Sequence, residues 1–317
     1  MEKIGFLYPG QGSQRVGMVK ELLRDGPELF ERYITRSQQA AGVPIIQYCL
    51  EGPLESLSQT HVVQPALFAY SLALTEYAHQ HGLFPDIVAG HSLGEYTAAV
   101  TAGTISFEDG LSLVSLRGRL MAQIQKTQPG AMAAIMGLPK EALDRLCSTI
   151  SKSDLVLVTN WNAPGQLVVS GVVAGVEQLI AAVRVLEGAR AIRLPVKGAF
   201  HSPLMQPVQQ ALRDSMQDYS WCDAKVPLVA NVSGKSLTRG PHIRQELLEQ
   251  ITSPVSWVSC IETLVQAGCS TLVELGPGQV LTRLARLIAP GITAVALDTP
   301  ARIAAFAQER HRVPVSV

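Results

Sequence analysis

The clearest pattern in the chain lies at residues Ile87–Val100, which read I-V-A-G-H-S-L-G-E-Y-T-A-A-V. A short apolar run is followed at once by Gly90-His91-Ser92-Leu93-Gly94 and then by helix formers. This is G-x-S-x-G between a strand and a helix, the arrangement of a nucleophile elbow. Glycines suit both ends of such a turn, because the backbone passes close to the serine on either side. The pattern predicts an exposed Ser92 hydroxyl, with the Leu93 N–H at a helix start that favours an anion. A serine in an ordinary β–α loop is the alternative at this point.

The composition restricts the class of protein. With 317 residues, 47% of them hydrophobic, the chain can form one large core and a smaller one. Its 26 basic and 26 acidic residues balance without a basic stripe, so no nucleic-acid partner is expected. No apolar run reaches about 18 residues, and the start of the chain lacks a signal-peptide pattern, so no membrane association is expected. The five scattered cysteines predict free thiols, no metal site and a cytoplasmic protein.

Predicted strands and helices alternate over most of the chain. Lys3–Tyr8 reads as a strand, Gln64–His81 as a helix and Ser106–Lys126 as an amphipathic helix. This order is typical of an α/β fold with a mostly parallel sheet covered by helices on both faces.

Residues 129–197 follow a different pattern. Here the sequence predicts the order β-α-β twice, with strands at 131–136, 155–159, 166–170 and 191–195, and helices at 139–149 and 173–185. That order is typical of a ferredoxin-like subdomain. We therefore expect a large α/β-hydrolase-like subdomain, formed by 1–128 and 198–317, with the small ferredoxin-like subdomain inserted at Gly130 and Lys197-Gly198. The cleft between the two is a natural ligand site.

Six motifs occur in order along the chain: Pro-Gly-Gln-Gly-Ser-Gln (9–14), Gly-His-Ser-Leu-Gly-Glu (90–95), Arg-Gly-Arg-Leu-Met (117–121), Phe-His-Ser-Pro-Leu-Met (200–205), Ser-Pro-Val-Ser-Trp (253–257) and Glu-Leu-Gly-Pro-Gly (274–278). Together they resemble the malonyl-CoA:acyl carrier protein transacylases, and the resemblance runs from Ile4 to Arg286. It implies transfer of malonyl from coenzyme A to the phosphopantetheine thiol of an acyl carrier protein, through an ester on serine. It also implies a monomer, with the coenzyme A thioester as substrate and with no metal or organic cofactor.

The resemblance assigns the catalytic roles. Ser92 would be the nucleophile and His201 its base, with the main-chain carbonyl of Gln250 holding the second ring nitrogen. A structural histidine is the alternative for His201. The backbone N–H groups of Gln11 and Leu93 would form the oxyanion hole, and the glycines beside Gln11 let the backbone approach the developing charge. The loop lacks the spacing of a phosphate-binding turn, the other interpretation of its glycines.

Arg117 is predicted to select the substrate. Malonyl differs from acetyl by a free carboxylate, which a guanidinium binds with two parallel hydrogen bonds. Arg117 shares a helix face with Leu113 and Leu120, whereas Arg119 is expected in solvent. An arginine on an apolar face needs an anion, and acetyl would leave its charge unpaired.

Further residues are expected at the substrate. Phe200, in Gly198-Ala199-Phe200-His201, resembles the malonyl-selecting form, where a serine instead would indicate methylmalonyl. His91 lies beside the nucleophile, and Gln64 is expected to line the site or to support the elbow. Asn160 and Asn162 are expected on a loop that faces the cleft.

Three other functions are alternatives to the transferase. An α/β-hydrolase would show the order Ser, then Asp or Glu, then His, without the inserted subdomain. An acyl carrier protein hydrolase of the same fold would have no use for Arg117. A docking module without chemistry would lack one of Ser92, His201 and Arg117. Both fatty-acid and polyketide pathways remain open, with Tyr8 and the segment after residue 298 favouring the polyketide type.

Overall fold

The computed structural model describes residues 2–312 of the chain. Within that range ten strands form two separate sheets. The strands are β1 (Lys3–Tyr8), β2 (Ile87–Gly90), β3 (Gly130–Met136), β4 (Val156–Ala163), β5 (Gln166–Val172), β6 (Arg190–Arg193), β7 (Leu228–Val229), β8 (Ser236–Leu237), β9 (Cys269–Glu274) and β10 (Thr293–Ala296).

Helices cover both sheets. They are α1 (Lys20–Asp25), α2 (Pro27–Leu29), α3 (Arg36–Ala41), α4 (Ile45–Leu50), α5 (Leu54–Leu57), α6 (Thr60–Gln80), α7 (Gly94–Thr101), α8 (Phe107–Thr127), α9 (Lys140–Ile150), α10 (Val173–Arg184), α11 (Gln206–Ser215), α12 (Gly240–Glu249), α13 (Trp257–Gln266), α14 (Val280–Ile288) and α15 (Pro300–Arg312). A π-helical segment, Phe30–Thr35, joins α2 to α3, and single 3₁₀ turns, Pro203–Met205 and Met216–Asp218, flank α11. Over residues 2–312, no helix combines the length and the apolar character that a membrane crossing needs.

The six-stranded sheet has the order β10-β9-β1-β2-β7-β8, and only its edge strand β8 runs antiparallel. Side chains alternate between two buried faces. Phe6 and Tyr8 pack into the larger core, whereas Leu7 and Ala89 pack into a second core on the opposite face. The predicted parallel sheet covered on both faces is therefore confirmed.

The four-stranded sheet is antiparallel, with the order β4-β5-β3-β6. This is the ferredoxin-like order that the repeated β-α-β pattern predicted. Alternate residues of β3, such as Ala131 and Ile135, pack against the core beneath α9 and α10, and Met132 points to the other face. The Gly130 N–H donates to the Lys197 carbonyl at 2.9 Å, so the two ends of the segment lie side by side. The subdomain boundaries themselves remain a prediction.

Several elements differ from those predicted. Helix α6 begins at Thr60, because Val62 and Val63 are buried with the rest of the helix and Pro65 is accommodated inside it. The sequence did not indicate α13 or α15. Strand β4 extends to Ala163 through two irregularities in register, so that Asn160 and Asn162 lie on a strand and not on a loop.

Candidate active site

Ser92 occupies a tight turn between β2 and α7. Its φ is +53°, a left-handed conformation that non-glycine residues rarely adopt. A β-carbon at Gly90 would lie 1.9 Å from the Gly94 carbonyl oxygen, and one at Gly94 would lie 2.0 Å from the carbonyl oxygen of Tyr8. Both glycines are therefore required by close backbone approaches, as the G-x-S-x-G pattern predicted.

His201 lies within hydrogen-bond distance of the serine. Its Nε2 is 2.7 Å from Ser92 Oγ, and its Nδ1 is 2.8 Å from the main-chain oxygen of Gln250. Because that oxygen can only accept, Nδ1 carries the hydrogen and Nε2 is free to accept the serine proton. Burial, with a contribution from Arg117, lowers the pKa of His201 to about 3, so the ring is neutral at pH 7.

The loop that follows β1 closes over the elbow. A β-carbon at Gly10 would lie 2.6 Å from the His91 carbonyl oxygen, so the loop backbone rests directly on the turn. Gln11 and Leu93 both line the cavity in front of Ser92. Within residues 2–312 neither backbone N–H donates a hydrogen bond to the protein, which leaves both available to an oxyanion.

Arg117 extends from α8 towards the serine and is 2% exposed. Its Nη1 donates to Gln64 Oε1 at 2.8 Å, and its Nη2 donates to Ser92 Oγ at 3.2 Å and to Gln250 Oε1 at 3.3 Å. All of these partners are neutral, and among the described residues Nε has no partner. Burial lowers the pKa of Arg117, and the nearby Glu95 opposes this shift, but none of the three groups that Arg117 hydrogen-bonds carries a charge.

The two sheets enclose a cavity of about 330 Å³ at this point. The six-stranded sheet supplies the turn and the loop after β1, and the free face of the four-stranded sheet covers them. The lining includes Pro9, Gly10, Gln11, Ser13, His91, Ser92, Leu93, Arg117, Met121, Met132, Asn160, Asn162, Val168, Leu194, Val196, Phe200, His201, Leu281 and Leu284. Most of the site residues that were predicted from the sequence therefore line this cavity. Gln64 and Gln250 are the exceptions: Gln64 lies behind Arg117 and donates to the Met121 sulfur, and Gln250 contacts His201 through its main-chain oxygen without lining the cavity.

His91 connects the two sheets. Its Nε2 lies 2.8 Å from Asn162 Oδ1, and its ring meets the Trp257 ring edge to face at 5.3 Å. Burial lowers the pKa of His91, which keeps the ring neutral. With its ring held in this way, His91 fixes β4 against the end of β2.

Two buried residues at the site were not suggested by the sequence. Asn231 follows β7 and bonds to the serine turn, and Glu95 lies in the first turn of α7 beneath it. A signal for Asn231 was present, because the carboxyl ends of parallel strands meet at one edge of a sheet and Asn231 follows a buried strand. Glu95 ends the Gly-His-Ser-Leu-Gly-Glu motif, but the sequence did not indicate that it is buried, since acidic residues are common in the first turn of exposed helices.

A serine on an elbow, a neutral histidine and a buried arginine are the groups needed for acyl transfer through a serine ester. Comparison with known proteins agrees with this class. The family described as "Acyl transferase domain" matches residues 5–289. A Bacillus subtilis protein named malonyl CoA-acyl carrier protein transacylase is 38% identical over 304 residues, which is 96% of each chain.

Solved structures are similar over the whole fold. The malonyl-CoA:acyl carrier protein transacylase of Xanthomonas oryzae superposes with a TM-score of 0.91 at 36% identity and covers 98% of both chains. A malonyl-transacylase in complex with its type II PKS acyl-carrier protein gives 0.91 at 34% identity, over 97% of this chain and 99% of that one. The chain belongs to the malonyl-CoA:acyl carrier protein transacylase family.

Proposed function

We propose that the protein transfers malonyl from malonyl-CoA to the phosphopantetheine thiol of an acyl carrier protein, and so supplies malonyl units for fatty-acid or polyketide synthesis. The contact that carries the proposal is between Arg117 and the nucleophile. A buried guanidinium that has only neutral partners, 3.2 Å from Ser92 Oγ, favours an acyl group with its own carboxylate.

In the first half-reaction His201 Nε2 removes the proton of Ser92 Oγ, and the oxygen attacks the thioester carbonyl carbon. The N–H groups of Gln11 and Leu93 stabilise the oxyanion of the tetrahedral intermediate. The C–S bond then breaks, and the proton on His201 passes to the departing sulfur of coenzyme A. Malonyl remains on Ser92 as an ester, with its carboxylate on Arg117.

In the second half-reaction the carrier's thiol enters the space that coenzyme A has left. His201 removes the thiol proton, and the sulfur attacks the ester carbonyl through a second tetrahedral intermediate. The Ser92–acyl bond breaks, and the histidine returns the proton to the serine oxygen. The first half-reaction leaves Ser92 acylated and the second restores its free hydroxyl, which predicts ping-pong kinetics.

Phe200, His91 and Asn162 are proposed to shape the acyl pocket. Phe200 lines the cavity beside His201, where its bulk restricts the space next to the α-carbon of the substrate. We also propose a monomer that needs no metal or organic cofactor. The proposed location is the cytoplasm, supported by five cysteines that are all free thiols.

Intact-protein mass spectrometry after brief mixing with malonyl-CoA, acetyl-CoA or methylmalonyl-CoA tests the proposal. Wild-type protein is expected to gain one malonyl group, and the Ser92→Ala variant none. If none of the three thioesters gives an adduct with the wild-type protein, the proposed acylation of Ser92 is refuted.

A further inference from the structure

Asn231 joins the two ends of the nucleophile turn. Its Oδ1 accepts from the Ser92 N–H at 2.8 Å, and its Nδ2 donates to the Gly90 carbonyl at 2.7 Å. The side chain is completely buried, so water does not compete for either contact. The left-handed conformation of Ser92 therefore has a dedicated side-chain support outside the turn itself.

Glu95 supports Asn231 from below and is also completely buried. Its Oε1 accepts from the Asn231 N–H at 2.8 Å, and its Oε2 accepts from the Gln250 amide. Burial, with a contribution from the nearby Glu246, raises the pKa of Glu95 well above its ordinary value, although the two N–H donors and Arg117 oppose this shift. Both of its oxygens thus accept hydrogen bonds from groups that touch the serine, the histidine or the arginine.

The Gln250 side chain has only one orientation that satisfies its neighbours. Its Nε2 donates to the Ser92 carbonyl at 2.9 Å and to Glu95, which uses both amide hydrogens. Its Oε1 is then left facing Arg117 Nη2 at 3.3 Å. An amide turned the other way would place two donors face to face at Arg117 and two acceptors face to face at the Ser92 carbonyl.

We propose that Glu95 and Asn231 are positioning residues with separable effects: Asn231 fixes the serine turn, and Glu95 orients Gln250 so that Arg117 is held ready for the substrate carboxylate. The inference rests on the proposed function, because only a charged acyl group depends on Arg117. Neither residue lines the cavity: Asn231 acts through its contact with Ser92, and Glu95 acts through Asn231 and Gln250.

Three variants separate these effects. Glu95→Gln keeps an oxygen for the Asn231 N–H but places an amide N–H₂ against the Gln250 N–H₂. The Gln250 amide must then rotate, which removes its Oε1 from Arg117 Nη2. Asn231→Ala removes both contacts to the turn. Glu246→Gln is the matched control, since Glu246 is a buried carboxylate near Glu95 whose side chain accepts from the Val232 N–H at 2.7 Å and, within residues 2–312, hydrogen-bonds neither to Gln250 nor to Arg117. Rates of covalent modification of Ser92 are measured by quenched mass spectrometry. The reagents are malonyl-CoA and acetyl-CoA, which acylate the serine, and the uncharged phenylmethanesulfonyl fluoride, which sulfonylates it and whose rate is called the fluoride rate.

For Glu95→Gln, the malonyl-to-acetyl rate ratio is expected to fall about tenfold or more, with the fluoride reaction within about threefold of wild type. For Asn231→Ala, all three rates are expected to fall together by about tenfold or more with the ratio unchanged. Glu246→Gln is expected to leave the ratio and the fluoride rate as in wild type. A purely structural role would reduce the fraction of protein that reacts, and would leave both the rate constants of that fraction and the malonyl-to-acetyl ratio as in wild type.

A wild-type ratio in Glu95→Gln would overturn the role of Glu95, and an unchanged fluoride rate in Asn231→Ala would overturn that of Asn231. If Glu95→Gln does not fold, Gln250→Ala removes the same contact to Arg117 while keeping the carbonyl for His201, and the same loss of ratio is expected. If Asn231→Ala does not fold, Asn231→Asp keeps the acceptor for Ser92 but has no donor for Gly90. Wild-type protein that forms no malonyl adduct would instead refute the proposed function.

Discussion

Replacement of Arg117 by alanine is expected to remove most of the preference for malonyl over acetyl. The guanidinium is buried beside the serine, and its three hydrogen-bonded partners in the described chain, Gln64, Ser92 and Gln250, are all neutral. The substrate carboxylate would be the countercharge. The Arg117→Ala variant therefore removes a charge-assisted contact that malonyl uses and acetyl does not.

The expected size follows from the type of contact. A charge-assisted hydrogen-bonded pair in a buried site contributes about 2–3 kcal/mol. At about 1.36 kcal/mol per factor of ten, kcat/KM for malonyl-CoA should fall about 30- to 150-fold. Acetyl-CoA gains nothing from the guanidinium and leaves its charge unpaired, so kcat/KM for acetyl-CoA should stay level or rise.

The assay is the rate of formation of the acyl-enzyme with each thioester, measured on Arg117→Ala and on Arg119→Ala. Arg119 lies two residues further along the same helix and is exposed to solvent, so it controls for the loss of one positive charge. The control should keep the wild-type malonyl-to-acetyl ratio. Equal losses for the two thioesters in Arg117→Ala, or a wild-type rate with malonyl, would refute the assigned role.

Four other predictions concern the base, the turn and the acyl pocket. Burial lowers the pKa of His201 from 6.5 to about 3. We therefore expect kcat/KM for acylation to stay level from about pH 8 to about pH 5. A pH–rate profile that falls around the ordinary histidine pKa would contradict this. The same shift predicts stability that is fully present above the unfolded pKa of 6.5 and is lost as pH falls towards about 3, which acid unfolding should show. Gly94→Ala places a β-carbon 2.0 Å from a carbonyl oxygen of β1 and should destabilise the protein by about 3 kcal/mol or more. The control Gly291→Ala has open space around its β-carbon and should leave the melting temperature unchanged. Equal melting temperatures for the two variants would disprove the steric argument. Phe200→Ser should raise the methylmalonyl-to-malonyl rate ratio by opening space beside the α-carbon, and competition between the two thioesters measures it, with no change counting against the steric role.

Short-range signals accounted for much of the fold and the site. The two glycines around Ser92 indicated a sharp turn, and the structure places backbone oxygens where their β-carbons would lie. The alternation of strands and helices indicated the parallel sheet, and the repeated β-α-β order indicated the small sheet. Arg117 was recognisable because it interrupts an apolar helix face.

Features that depend on distant parts of the chain were not predictable in the same way. The position of Asn231 after a strand indicates the sheet edge, but its contact with the serine turn, 139 residues away in sequence, depends on the pairing of β7 with β2. Helix α13 contains several β-branched residues, which favour a strand locally, and becomes a helix because residues such as Ile261 and Leu264 pack beneath the sheet. The position of β9 beside β1 is likewise set by packing between the two ends of the chain.

The most direct test of the account is discharge of the isolated malonyl-enzyme. The protein is loaded with malonyl-CoA, freed of excess thioester, and mixed either with a phosphopantetheine-bearing acyl carrier protein or with buffer alone. The account predicts rapid loss of malonyl from Ser92 with equal gain on the carrier thiol, and an ester that persists in buffer. Rapid loss in buffer with no malonyl on the carrier would contradict transfer and identify the protein as a hydrolase.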